Sequence, residues 1–247
     1  MFDIVIPVGP NDINIVINQI RYTKKNIVGY RKIFLISYHP YLKIDGCITI
    51  PEQIFPFKMI DIERKHGKSK RNGWYLQQLL KLYVSIVIPN LLDSYLVIDS
   101  DTFFLKPIKF KEGITEKDLF NYSNEYHQPY FIHMNKLHPS FIKVIQNVSG
   151  ICHHMLFNRE YIKELIDMVE VYHNKSKPFW KIFLENVDIN LRKEGGSGAS
   201  EYEIYFNFML IYHSDKIKIR ELKWKNTNKL EDLYNNYDYI SYHWYLR

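Results

Sequence analysis

Two carboxylates one residue apart, Asp99 and Asp101, end the apolar run Tyr95-Leu96-Val97-Ile98. Hard carboxylate oxygens suit Mg²⁺ or Mn²⁺. Side chains two apart in an extended chain point the same way, so the pair can share one ion whose remaining positions a diphosphate completes. Asp-Ser-Asp alone also suits a surface turn, because these residues bond to nearby backbone. The run in front favours the first reading. A continuous apolar segment ended by acids fits a parallel strand covered on both faces, and its carboxyl end opens into the crevice where ligands of open α/β sheets bind.

The elements that must position this pair follow from periodicity. Residues 3–8 read as a first strand, 14–25 as a helix and 32–37 as a second strand, the alternation of βαβ units. Residues 48–51 form a short third strand. Residues 73–88 repeat at helical spacing through Leu76, Leu79, Leu80 and Tyr83 until Pro89 stops them. The expected class is α/β: a Rossmann-like, mostly parallel central sheet flanked by helices. No Gly-x-Gly-x-x-Gly follows the first strand, and the stiff Pro7-Val8-Gly9-Pro10-Asn11-Asp12 disfavours NAD. Residues 102–107 continue extended, whereas the aromatic-rich 122–133 leaves strand and loop both open. Residues 158–172 read as a helix capped by Asn158, with Ile162, Leu165, Ile166 and Val169 on one face. The stretch from Gly195 to Ser200 looks the most flexible and leads into a helix from Glu201 to about Tyr212.

The 247 residues suffice for one large α/β domain, taken as 1–247, and nothing reads as a linker. Aromatic residues at 16% and charged residues at 24% exclude a disordered chain. No apolar stretch reaches membrane-spanning length, and the chain enters its first strand without a secretory-type leader. Cys47 and Cys152 are too few for a disulfide scaffold and lack metal-binding spacing, which fits a reducing compartment, the cytoplasm. Abundant Ile, Lys, Asn and Tyr point to an AT-rich genome, viral or bacterial. The net charge of +6 is spread along the chain apart from residues 64–71, Arg-Lys-His-Gly-Lys-Ser-Lys-Arg. That cluster is either a solvated loop or a clamp on phosphates, and nucleic-acid binding ranks last among the readings.

Taken in order along the chain, several blocks resemble one family. Asp3-Ile4-Val5-Ile6-Pro7 and Val97-Ile98-Asp99-Ser100-Asp101 look like GT-A-fold nucleotide-sugar glycosyltransferases. Residues 71–78, 149–155, 198–203 and 241–245 resemble predicted glycosyltransferases of bacteria and viruses. These blocks span nearly the whole chain. The resemblance implies a metal-dependent enzyme that moves a sugar from a nucleoside-diphosphate sugar, a UDP-sugar by preference, to a saccharide or glycan acceptor.

It also implies residue roles. Pro7, Val8, Gly9 and Asp12 would sit beside the nucleotide base, unless Asp12 only caps the helix after it. The helix start at Gly73, Trp74, Gln77 and Gln78, with Arg71 adjacent, offers free N–H groups and the positive dipole end to the donor. Core packing is the simpler account of at least one of Trp74 and Tyr75, while one glutamine is expected on the donor. Asp99 and Ser100 join the nucleotide-sugar site, and His243 fills the family's place for a third metal ligand beside Asp99 and Asp101. Of the neighbours His153 and His154, which face opposite ways in a strand, His154 is assigned to the donor site. Glu201 and Glu203 are the catalytic candidates. Ser200 and Glu203 have capping-box spacing, which leaves Glu201 as the base of an inverting transfer. A retaining transfer needs no such base. The rivals are a sugar-phosphate nucleotidyltransferase, whose glycine-rich signature is missing after strand one, and a non-catalytic carbohydrate-binding protein.

Overall fold

A computed structural model describes residues 1–113, 116–194, 196–229 and 236–243. The first βαβ unit is β1 (Phe2–Val8), α1 (Ile13–Asn26), a two-residue β2 (Ile27–Val28) and β3 (Tyr30–Ser37), followed by β4 (Cys47–Pro51). Two helices, α2 (Met59–His66) and α3 (Asn72–Val87), lead to β5 (Ser94–Ile98). Three short strands come next: β6 (Thr102–Phe104), β7 (Ile108–Lys109) and β8 (Asp118–Asn121). Then come α4 (Gln128–Leu137), β9 (His154–Asn158), α5 (Arg159–Tyr172), α6 (Phe179–Glu185) and α7 (Glu201–Tyr212). The chain closes with β10 (Ile217–Arg220), β11 (Trp224–Asn226) and β12 (Tyr239–Ser241).

The architecture is mixed α/β around a mostly parallel sheet flanked by helices. Its strand order is β4-β3-β1-β5-β9, with the β5–β9 pair antiparallel and the rest parallel. All of β1 and β5 is buried, as their unbroken apolar runs require of strands covered on both faces. The order turns at β1: β3 and β4 lie to one side, and α2 and α3 carry the chain back so that β5 lands on the other. A crevice opens outside the carboxyl ends at such a switch point, here after Val8 and Ile98.

Local signals act as the sequence predicts at several ends. Asn158 accepts from the Glu160 N–H at 2.9 Å, and α5 buries Ile162, Leu165, Ile166 and Val169. Residues 122–133, ambiguous by pattern, divide into a one-residue bridge at Ser123 and the start of α4. The basic run 64–71 is no continuous basic face. Lys65 pairs with Glu185 at 3.3 Å, and His66 is buried with Nε2 at 2.8 Å from the Leu184 carbonyl. Cys152 is buried and Cys47 half-buried. No described helix is long and apolar enough to cross a membrane.

Candidate active site

β1 and β5 end side by side, and the residues after them meet. Ser100 Oγ donates to Asp12 Oδ2 at 2.8 Å, tying the first turn to the Asp-Ser-Asp loop. Asp12 makes no side-chain cap bond to α1, and its carboxylate takes the Ser100 hydroxyl. Pro7 and Val8 are buried in the sheet, whereas Gly9 is half-buried, so the turn becomes reachable only from Gly9 onward. The loop itself closes tightly, with Thr102 N donating to Asp99 O at 3.0 Å.

Asp101 is held from the far end of the chain. β12 pairs antiparallel with β6, Ser241 against Thr102. This register lets Tyr242 N donate to Asp101 O at 2.8 Å and brings Ser241 Oγ to 3.4 Å from Asp101 Oδ1. His243 follows directly, its ring centroid 5.5 Å from that of His153. Trp244 and Tyr245, the rest of the 241–245 block, lie outside the described residues, as does Gly195.

Beneath Asp99 lies a residue that the sequence reading missed. Lys81, inside α3 and 2% exposed, donates to Asp99 Oδ1 and to Glu201 Oε1, each at 2.6 Å. Tyr202 Oη donates to Asp99 Oδ1 at 3.1 Å, and the lysine ammonium stands 4.3 Å above the Tyr202 ring. Burial by itself would raise the Asp99 carboxyl, but the Lys81 ammonium and His153 outweigh it and hold Asp99 well below the ordinary carboxylate range. Burial likewise works against charge on Lys81, yet Asp99 and Glu201 together raise it and keep it cationic. Burial and the nearby Asp99 charge push the Glu201 carboxyl up, with Lys81 opposing. A signal for this was available. Lys81 interrupts Leu79-Leu80-Lys81-Leu82-Tyr83-Val84, where helical turning would bury it on any face, and a buried ammonium needs carboxylate partners.

The two glutamates have different surroundings. Glu201 is buried, with Oε1 against Lys81. Ser200 Oγ does accept from Glu203 N at 3.3 Å, but the Glu203 carboxylate does not return to complete the capping box. It takes the Ser149 hydroxyl at one oxygen and Asn207 Nδ2 at 2.9 Å at the other. Glu203 thereby ties α7 to the approach to β9.

The two histidines also differ in surroundings. His154 faces the packed interior, with ring centroids 5.1 Å from Phe104, 5.4 Å from Phe110 and 4.9 Å from Tyr239. Burial pulls its imidazole down to about 3. His153 faces Asp99: Nδ1 lies 3.4 Å from Asp99 Oδ2, and its backbone carbonyl accepts from Asp99 N at 2.9 Å. His153 adopts φ +61°, a left-handed conformation uncommon for a residue with a Cβ and concentrated at functional sites.

The start of α3 is turned to another use. Gln78 Nε2 donates to Ala199 O at 3.0 Å and Trp74 Nε1 to the same carbonyl at 3.4 Å, while Tyr75 Oη accepts from Gly198 N at 3.1 Å. These bonds clamp residues 197–200, all of them buried, so the glycine-serine loop expected to be flexible is held rigidly before α7. Gly73 is exposed and Gln77 half-buried, and Arg71 stacks at 5.7 Å over Trp74. Among the described residues no group of three His, Cys, Asp or Glu side chains stands close enough to hold a metal ion.

Comparison with known proteins adds a family and little else. The crystal structure of mouse xyloside xylosyltransferase 1, apo form, is similar over 100% of this chain and 99% of that one, at 9% identity and a TM-score of 0.46. That likeness is too weak to argue from. No curated protein gives a significant match. The model of DUF6492, a family of unknown function, matches residues 31–240, and the chain belongs to that family.

Proposed function

We propose that the protein is a GT-A-type glycosyltransferase that uses a nucleoside-diphosphate sugar, by preference a UDP-sugar, and glycosylates a saccharide or glycan acceptor with inversion. The observation that carries this reading is the pairing of two sheet ends: Asp99-Ser100-Asp101 after β5 and Asp12 after β1 meet through the 2.8 Å Ser100–Asp12 bond at the strand-order switch. A nucleotide laid across that switch would have its base beside Gly9 and Asp12 and its diphosphate over the acidic loop.

Mn²⁺ or Mg²⁺ belongs to the reading. Asp99, Asp101 and His243 are the residues that would hold it in this reading, although among the described residues they do not stand together as a three-ligand cluster. The cation would therefore take most of its ligands from diphosphate and water, as Mg²⁺ favours. Such an ion neutralises charge on the departing diphosphate. Lys81 and Glu201 position Asp99 from below, and Glu201 is not the base in this reading.

The test is thermal stabilisation by UDP, GDP and CDP, each with and without Mn²⁺, followed by nucleotide release from the matching sugar donors. A Mn²⁺-dependent rise with one nucleotide, abolished in Asp101→Ala, is expected, because a ligand bound only by the native state raises its melting temperature. Stabilisation by saccharides alone, with no nucleotide release from any donor, would favour the carbohydrate-binding reading instead.

A further inference from the structure

One carboxylate near the crevice has no structural task. The segment 123–127 crosses between the two loops that carry the site. At one end Ser123 exchanges both backbone hydrogen bonds with Ser149, each 2.9 Å, and the chain from Ser149 runs on to His153. At the other end His127 Nε2 lies 2.8 Å from the Ser197 carbonyl, and the chain from Ser197 runs on to Glu201. The Tyr130 hydroxyl bonds to the Ser197 hydroxyl, and the His127 and Tyr130 rings pack 4.4 Å apart, so this end is firmly fixed.

Glu125 lies midway along that crossing. The residue is exposed, and its backbone N–H donates to Ser123 Oγ at 3.3 Å. Among the described residues its carboxylate makes no hydrogen bond and no ion pair. The other two glutamates near the site differ: Glu201 is bound to Lys81, and Glu203 to Ser149 and Asn207. Partial burial raises the Glu125 carboxyl, while His153 and His127 are near enough for their charges to oppose that rise. Its charge in turn reaches inward as far as His153 and Cys152. A carboxylate open to solvent, without a partner among the described residues and carried on a segment fixed at both flanks is what a proton-accepting group in a site requires.

We propose that Glu125 is the carboxylate that receives the acceptor, a saccharide whose hydroxyl enters beneath the 123–127 crossing toward the Asp99–His153 side of the crevice. This rests on the glycosyltransferase reading. A lone pair of the acceptor oxygen forms the new bond to the anomeric carbon of the donor sugar. The bond from that carbon to the phosphate oxygen breaks, its electron pair leaving with the nucleoside diphosphate. The hydroxyl proton passes to a Glu125 oxygen.

The experiment compares wild type with Glu125→Gln. Release of UDP or GDP from a panel of UDP- and GDP-sugars is followed with and without methyl and 4-nitrophenyl glycosides as acceptors. Melting temperature and its shift with nucleotide and Mn²⁺ are read on the same samples. The expected result is loss of acceptor-stimulated release by about 100-fold or more, the scale of removing a general base, with melting temperature and nucleotide shift as in wild type. Stimulated release by Glu125→Gln equal to wild type overturns the role of Glu125 and leaves the transferase reading standing. Absence of nucleotide release from every donor by wild type overturns the transferase reading, and this assignment with it.

Discussion

Lys81 and Glu201, 120 residues apart in the chain, meet with Nζ and Oε1 2.6 Å apart, each side chain 2% exposed. A single buried ion pair of this kind gains little over apolar packing, since desolvation offsets most of the attraction. Its effect is geometric. The same ammonium holds Asp99 at 2.6 Å, so one side chain on α3 sets the distance between the end of β5 and the start of α7.

Lys81→Met leaves the Asp99 and Glu201 carboxylates buried together without a counter-charge. The expected loss is about 3–5 kcal/mol, the range for breaking one side of a buried pair, measured by denaturant unfolding with unchanged slope. Adding Glu201→Leu to Lys81→Met should recover a large part, because one unpaired charge is then gone. A single variant as stable as wild type would mean that the pair is not formed in solution.

Acid should destabilise the protein before its carboxylates titrate. Burial lowers His133 to about 4 and His154 to about 3, so both are neutral in the fold and both would be charged in the unfolded chain. The stability this provides is complete above the unfolded histidine value of about 6.5 and drains as pH falls toward the folded values. With two protons taken up on unfolding, the slope between about pH 6 and 4 approaches 3 kcal/mol per pH unit. His154→Phe, set among Phe104, Phe110 and Tyr239, should roughly halve that slope in denaturation curves recorded across this range.

Gly150 lies directly against α7. A Cβ there would stand 2.5 Å from Phe206 Cβ and 2.9 Å from the Tyr202 carbonyl, and neither is the free end of a flexible chain. Gly150→Ala should therefore cost about 1–3 kcal/mol, as for overpacked cores. Displacement of Tyr202, which bonds Asp99, should lower turnover more than stability alone explains. Equal melting temperatures for wild type and variant would contradict the packing described.

Ser100→Ala removes the hydroxyl that joins the two sheet ends through Asp12. The expected change is about 1 kcal/mol, the net worth of a typical hydrogen bond, seen by calorimetry as roughly fivefold weaker binding of UDP with Mn²⁺. Unfolding should change little, because the bond ties two loops rather than two core elements. A stability loss without any loss of nucleotide affinity would remove the nucleotide from this end of the sheet.

Much of the scaffold was legible along the chain, because the forces that decide it are local. Unbroken apolar runs mark β1 and β5 as strands buried on both faces. Asn158 and Ser200 accept from N–H groups two and three residues on, so their helix starts can be read without knowing the rest of the fold. The acidic pair at the end of β5 belongs to the same class: strand then carboxylates is a statement about seven adjacent residues.

Partners were not legible in the same way. Composition made residues 195–200 look flexible, but composition reports only backbone freedom, and Trp74, Tyr75 and Gln78 hold Gly198 and Ala199 through bonds spanning more than a hundred residues. Glu201 looked free because Glu203 seemed to be the cap. Its real partner, Lys81, is brought to it only when α3 and α7 close on β5. Which of His153 and His154 faces the acids depends on the left-handed turn at His153 and on the aromatic core under β9. The sequence by itself determined where strands and caps begin and which residues carry charge. The tertiary structure alone decided which charges face one another, because a buried group's partner is chosen by packing between elements far apart in the chain.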